Sequence, residues 1–241
     1  MDRILLGMLT PSSNTVLEPV TQDLLRELPQ ASAHFGRFAV TRIALSQDAL
    51  AQFDTAGILG AAELLSHARC QVIGWSGTSS SWLGFESDRE LCRQIEQRTG
   101  ALACTSVLAL NEILRATGAT RFGLVSPYLD DVQQRIIANY AREGFDCVAE
   151  QHLGLSDNFS FSEVSGAQLE SMIREVAKAR PQAIAVLCTN LRGASLVPAL
   201  EAELGIPIYD SVATVVWKAL RLAGADTRRI RSWGRLFTEL T

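Results

Sequence analysis

The chain has 241 residues, 47% hydrophobic and 20% charged, enough apolar content to bury a full core, which excludes a disordered, fibrous or disulfide-stapled polypeptide. Subtracting 26 acidic from 22 basic residues leaves a net charge of -4, so no electrostatic footprint for nucleic acid is present and a small molecule is the expected partner. The longest apolar runs, such as Ile4 to Leu9 and Ala183 to Cys188, fall far short of the roughly 20 residues that span a bilayer, so no membrane association is expected.

Met1-Asp2-Arg3 leads straight into a strand-like run, without the pattern of a secretory leader. A cytoplasmic protein is expected. The five cysteines (Cys70, Cys92, Cys104, Cys147 and Cys188) form no CxxC pair, and three histidines show no ligand spacing. Reduced thiols and no metal site follow.

Short apolar runs alternate with amphipathic stretches along the whole chain, which is the α/β pattern. Strands are predicted at Ile4 to Leu9, Phe35 to Ile43, Val72 to Trp75, Ala101 to Cys104, Phe122 to Val125, Asp146 to Gln151, Ala183 to Leu187 and Ile206 to Tyr209. Helices are predicted at Thr15 to Glu27, Thr55 to Ala68, Ser87 to Arg98, Val107 to Thr117, Val132 to Glu143, Gly166 to Ala179, Ser195 to Leu204 and Ser211 to Ala223. Gly118, Gly144 and Gly205 each stand where a left-handed residue would stop a helix.

A weak internal repeat organises these elements. Gly7-Met8-Leu9-Thr10-Pro11-Ser12-Ser13-Asn14 is answered by Gly123-Leu124-Val125-Ser126-Pro127-Tyr128-Leu129-Asp130, and Val72 to Thr78 by the run ending Val186-Leu187-Cys188-Thr189. The chain therefore reads as two similar flavodoxin-like α/β halves, each with a parallel sheet, related by a pseudo-twofold axis. Residues 1–110 make the first, joined by a C-terminal helix at 216–241, and residues 111–215 the second. Ligands of open α/β sheets bind beyond the carboxyl ends of the strands, so the active site is expected in a cleft between the halves, ringed by four turns.

Those turns are polar and nearly uncharged. In Pro11-Ser12-Ser13-Asn14-Thr15, two roles are open: capping the next helix, or holding a ligand carboxylate at its N-terminus with Asn14 as a donor. Gly77-Thr78-Ser79-Ser80-Ser81 reads either as a Ser-rich turn or as an oxyanion hole that a backbone glycine lets a ligand approach. In Pro127-Tyr128-Leu129-Asp130-Asp131, the aspartates are expected to cap the next helix, and Tyr128 is either an amphipathic wall or a hydrogen-bond donor to the cleft.

The fourth turn is Cys188-Thr189-Asn190-Leu191-Arg192-Gly193. Cys188 is either a small buried hydrophobe or, ahead of a helix N-terminus that can lower its pKa, a thiol that exchanges a proton with substrate. Its counterpart in the repeat is Gly77. Two thiols facing one carbon would permit racemisation, whereas one thiol permits protonation, from one face, of a carbanion formed by another route such as loss of CO2. Nothing matches GxGxxG or a P-loop, so dinucleotides and ATP are not expected.

These residues resemble the aspartate/glutamate racemase superfamily, in the branch containing arylmalonate decarboxylase, maleate cis-trans isomerase and related ectoine-utilisation proteins. Four stretches carry the resemblance: Gly77 to Ser81, Tyr128-Leu129-Asp130-Asp131-Val132, Trp217 to Gly224, and Gly234-Arg235-Leu236-Phe237. It implies an enzyme without a cofactor, with Cys188 as proton donor, Gly77 in the place of the racemases' first cysteine, and Thr78, Ser79 and Tyr128 as a dioxyanion hole. Pro11 to Thr15, Asp157-Asn158 and Cys188-Thr189-Asn190 look instead like the isomerase, which implies a second carboxylate held by Asn14, Asn158, Thr189 and Asn190. Isomerisation in that family also uses the first cysteine, and here that position is Gly77.

The leading expectation is a cofactor-independent carboxy-lyase acting on a substituted, arylmalonate-type malonate, in which Cys188 protonates an enediolate. The alternatives are a maleate cis-trans isomerase or racemase-type enzyme on a dicarboxylate, and a non-catalytic carboxylate-binding accessory protein. The substrate's side group and the oligomeric state are not legible. Trp75, Trp82, Phe159 and Phe161 read as an aromatic pocket or as core and lid residues, and residues 156–165 as a flap or a plain loop.

Overall fold

The eight-residue run Ile4–Pro11 (β1) is the second strand of a four-stranded parallel sheet in a computed structural model that describes residues 3–53 and 55–240. It is followed by α1 (Leu17–Leu25), β2 (Ala31–Phe38), α2 (Gln47–Ala51), α3 (Thr55–His67), β3 (Val72–Trp75), α4 (Ser80–Leu83), α5 (Phe85–Thr99), β4 (Leu102–Thr105) and α6 (Ser106–Ala116). The second half contains β5 (Arg121–Ser126), α7 (Asp130–Arg142), β6 (Asp146–His152), α8 (Gly166–Ala177), β7 (Ala183–Val186), α9 (Val197–Leu204), β8 (Ile208–Asp210), α10 (Ser211–Leu222) and α11 (Arg235–Glu239).

The two sheets have orders β2-β1-β3-β4 and β6-β5-β7-β8, the same order strand for strand, and every pairing is parallel. Two similar α/β halves are therefore present. Helices cover both faces of such sheets, which is why β3 and β7 are buried at every residue and read as unbroken apolar runs. Gly118, Gly144 and Gly205 have φ of +66°, +85° and +69°, the left-handed conformation that ends their helices.

Helix α10 ties the halves together. It leaves β8 and packs on β3, β4 and α6 of the first half. Its inward residues Val212, Val215, Val216, Trp217, Ala219 and Leu220 are buried, and each large one contributes about 1.5–3 kcal/mol by leaving water. Asp210 starts the helix: its Oδ1 accepts from the backbone N–H of Val212 at 2.8 Å and of Ala213 at 3.3 Å. No helix among the described residues is long and apolar enough to cross a membrane.

Three expectations are corrected. The second strand covers Ala31–Phe38, not Phe35 to Ile43, because Val40 and Ile43 leave the sheet and are buried beside the cleft instead. Their apolar character, which read as strand, belongs to a different surface. Of the two aspartates expected to cap α7, Asp131 Oδ1 accepts from the first-turn N–H of Val132 at 2.7 Å, whereas Asp130 pairs instead with His152 Nε2 at 2.6 Å; the N-cap position itself, Leu129, has no side-chain bond. The C-terminal helix expected at 216–241 is two helices, α10 (Ser211–Leu222) and α11 (Arg235–Glu239), because left-handed Gly224 (φ +76°) ends the first; the short helices α2 and α4 give too few turns for a periodic signal and were not expected.

Candidate active site

The carboxyl ends of β1, β3, β5 and β7 meet around one pocket lined by Pro11, Val40, Ile43, Phe53, Trp75, Gly77, Thr78, Ser79, Trp82, Tyr128, Asn158, Cys188 and Thr189. The space between these side chains has room for about one water. No lining residue carries a formal charge at neutral pH. Any anion held here is held by hydroxyls, amides and backbone N–H groups.

A hydroxyl chain crosses the cleft. Thr78 Oγ1 and the Tyr128 hydroxyl are 2.6 Å apart, and the same hydroxyl is a hydrogen-bond partner of the Cys188 thiol. The Tyr128 ring is buried between the edges of Trp82, at 5.2 Å between centroids, and Phe161, at 5.7 Å. Those contacts fix where its hydroxyl points. The backbone N–H of Asn190 donates to Cys188 Sγ at 3.4 Å, so the thiol meets a donor from its own turn and another from across the cleft.

Burial pushes the Cys188 thiol up to about 12, and the nearby Asp210 carboxylate adds to the shift, while the Asn190 N–H and Tyr128 oppose it. The lowered pKa suggested by the following helix is thereby overturned: loss of solvation outweighs the local donors. Tyr128 is likewise raised, first by burial and then by the neighbouring thiol. Both groups hold their protons at neutral pH.

Asp210 itself is pushed up to about 7 by burial, and its Oδ2 has no partner among the described residues. Because its pKa is raised from 3.8, its contribution to stability is greatest below about pH 4 and is lost as pH rises toward 7. Asp210→Asn, which keeps an acceptor for the α10 cap, is expected to gain on the order of 2–4 kcal/mol at pH 8 and nothing at pH 4. Denaturant unfolding at the two pH values checks this, and equal gains at both would refute it.

The amides are occupied with one another. Asn14 Oδ1 accepts from Val16 N at 3.0 Å and Leu17 N at 2.9 Å, capping α1, and its Nδ2 donates to Thr189 Oγ1 at 3.1 Å. Thr189 in turn donates to the Ser76 carbonyl at 3.1 Å. Asn190 Oδ1 accepts from Thr15 N at 3.0 Å while its Nδ2 donates to the Asn158 carbonyl at 2.5 Å. Asn158 Nδ2 donates to Ser13 Oγ at 2.9 Å.

Of the nine residues singled out from the sequence, seven line the pocket: Gly77, Thr78, Ser79, Tyr128, Asn158, Cys188 and Thr189. Asn14 and Asn190 do not line it; they hold the two halves together behind its wall. Arg192 is exposed and reaches the Val164 carbonyl, away from the cleft.

Sequence reasoning singled out residues 156–165 as a flap or loop but missed the part of the pocket wall that follows β2. Val40, Ile43 and Phe53 come from the connection after β2, whose backbone meets the connection after β6: Ile43 N–H donates to Ser156 O at 2.8 Å and Asn158 N–H to Thr41 O at 2.9 Å. β2 and β6 are equivalent edge strands, so two equivalent connections close the mouth together. The repeat was the signal that pointed there. Phe161 is buried against Tyr128, whereas Phe159 is exposed.

The wall beside Gly77 is indole. A Cβ added there would fall 2.0 Å from Trp75 Cζ2. Trp75 is packed on Phe38 at 5.1 Å between ring centroids and is 1% exposed.

The family model described as arylmalonate decarboxylase matches residues 17–237. An arylmalonate decarboxylase of Bordetella bronchiseptica is 27% identical over 237 residues, covering 97% of this chain and 96% of that protein. A maleate isomerase of Geobacillus stearothermophilus is 22% identical over 233 residues, covering 92% of each. The crystal structure of the maleate isomerase Iso from Pseudomonas putida S16 superposes with a TM-score of 0.89 at 22% identity over 99% of both chains, a likeness of fold. With its two matched parallel sheets, its four turns around one uncharged pocket and a family match over nearly its whole length, the chain belongs to the arylmalonate decarboxylase family, among whose relatives are maleate isomerases.

Proposed function

We propose that the protein is a cofactor-independent carboxy-lyase that removes CO2 from a substituted malonate of the arylmalonate type. One observation carries this reading: the pocket holds a single thiol, Cys188, which burial keeps protonated, and the equivalent place in the other half is Gly77 under an indole. Such a site donates a proton and has no second thiol to take one away or to add to a double bond.

The retained carboxylate of the substrate sits against Thr78, Ser79 and Tyr128. The departing carboxylate lies toward Val40, Ile43, Phe53 and Trp82, where few polar groups solvate it and its loss as neutral CO2 is favoured. The C–C bond breaks, its electron pair enters the retained carboxylate as an enediolate, and the hydroxyl donors stabilise the growing charge. Cys188 then gives its S–H proton to the α carbon, and water reprotonates the thiolate. Because the pocket has room for about one water, substrate entry is expected to require the connections after β2 and β6 to part.

A second reading, maleate cis-trans isomerisation, is favoured by Asn158 and Thr189 at the pocket and by the maleate isomerases among the relatives. Proton NMR in D2O with phenylmalonate and maleate in separate tubes separates the two. Decarboxylation with one deuterium at the α carbon, lost in Cys188→Ala, is the expected result. Fumarate from maleate, with phenylmalonate untouched, would replace the decarboxylase reading with the isomerase, and ligand-dependent melting with no chemistry on either would favour a binding protein.

A further inference from the structure

The two halves differ sharply in side-chain volume at one pair of equivalent positions. Trp75 lies between Leu9 and Thr105 in its sheet, and Val186 lies between Val125 and Asp210 in the other, so the two occupy the same place in matching registers. Two residues further on stand Gly77 and Cys188. The half with the small strand-end residue carries the thiol, and the half with the large one carries no side chain at all.

The reason is steric. A Cβ at Gly77 would meet Trp75 Cζ2 at 2.0 Å and Cε2 and Cη2 at 2.4 Å, distances that no non-bonded carbons tolerate. The indole cannot simply swing aside, since it is 1% exposed and packed against the tilted ring of Phe38. It also lines the pocket. The space that a second proton-carrying side chain would take is therefore filled, and filled by the wall that substrate touches.

We propose that Trp75 is the specificity-determining residue that holds position 77 to glycine and so confines this cleft to proton delivery from Cys188 alone: its indole occupies the volume that a second, racemising thiol would need. This inference rests on the decarboxylase reading. It predicts that Gly77→Cys alone does not build a two-thiol site, and that Gly77→Cys combined with Trp75→Val, the residue that the other half uses, does. In the double variant the introduced thiol, after losing its proton to water, takes as thiolate the α proton of a single-enantiomer 2-phenylpropionate, forming S–H as C–H breaks and the electron pair enters the carboxylate. Cys188 then gives its proton to the other face, so one S–H bond is made and one is broken and no further reactant is consumed.

The test has a structural and a chemical arm. Because Cβ is the offending atom, Gly77→Ala is expected to lower the melting temperature by about 5 °C or more, and adding Trp75→Val to recover part of that loss rather than add to it. In D2O, Trp75→Val with Gly77→Cys is expected to exchange the α proton of 2-phenylpropionate at least ~100-fold faster than the wild type or Gly77→Cys alone, the low end of the roughly 10²–10⁴ that a positioned acid or base supplies. Gly77→Ala melting with the wild type, or Gly77→Cys exchanging as fast as the double variant, would overturn the proposal. So would recovered melting without exchange, which would leave Trp75 a packing residue. Wild-type decarboxylation with a silent double variant sinks this inference alone, whereas an inactive wild type sinks the decarboxylase reading beneath it.

Discussion

Cys188→Ala is expected to lower phenylmalonate decarboxylation by about 10³-fold or more while melting within a few degrees of the parent. General acid catalysis by a positioned group supplies about 10²–10⁴ in rate, and no other lining residue can protonate carbon from the same position. The thiol is small and its loss leaves a minor cavity, so stability falls by only about 1 kcal/mol. With the thiol pushed up to about 12, its proton is in place throughout the neutral and mildly alkaline range. The rate is thus expected to show no decline assignable to Cys188 between pH 6 and 9, and alkylation of this thiol by iodoacetamide to be slow. Retained turnover in Cys188→Ala, or a falling limb near pH 8 that this variant abolishes, would show that the thiol is not the donor or not held protonated.

Tyr128→Phe is expected to cost about 10²–10³ in kcat with little change in KM, the usual loss for one donor aimed at a developing oxyanion. Phenylalanine keeps the edge contacts with Trp82 and Phe161, so the effect isolates the hydroxyl. Thr78 and Tyr128 share one hydrogen bond at 2.6 Å, and in the proposed mechanism they act on the same carboxylate. Thr78→Ala is therefore expected to produce a loss of similar kind, and the pair to lose less than the product of the two single effects. Steady-state kinetics on the four proteins measures the coupling. Strict additivity would place the two hydroxyls on separate tasks.

The two predictions fall on residues that the sequence had already placed at strand ends. Such placement is legible because a parallel strand covered on both faces must be apolar throughout, as Val72–Trp75 and Ala183–Val186 are, and because a helix that ends on a left-handed glycine announces its stop. The internal repeat added topology: matching turns after β1 and β5 and after β3 and β7 imply matching sheets, and the strand orders agree. Where apolar residues serve the cleft rather than the core, the same logic misled. Val40 and Ile43 carry the apolar pattern of a strand yet lie beyond β2, because a local pattern does not say which surface a residue is buried against.

From the sequence alone came the α/β class, the duplication, and the gathering of Gly77, Thr78, Ser79, Tyr128 and Cys188 at carboxyl ends of strands, since each depends on spacing within about ten residues and on a repeat that spacing makes visible. The tertiary structure alone decided who touches whom. It tied Asn14 to Thr189 and Thr15 to Asn190, partners 175 residues apart, and so took Asn14 and Asn190 out of the pocket lining. It raised the Cys188 thiol, because desolvation is a property of everything packed around a group, whereas the helix expected to lower it was the only neighbour the sequence displayed. And it laid the Trp75 indole over Gly77, a contact between side-chain volume and empty backbone that no periodicity encodes.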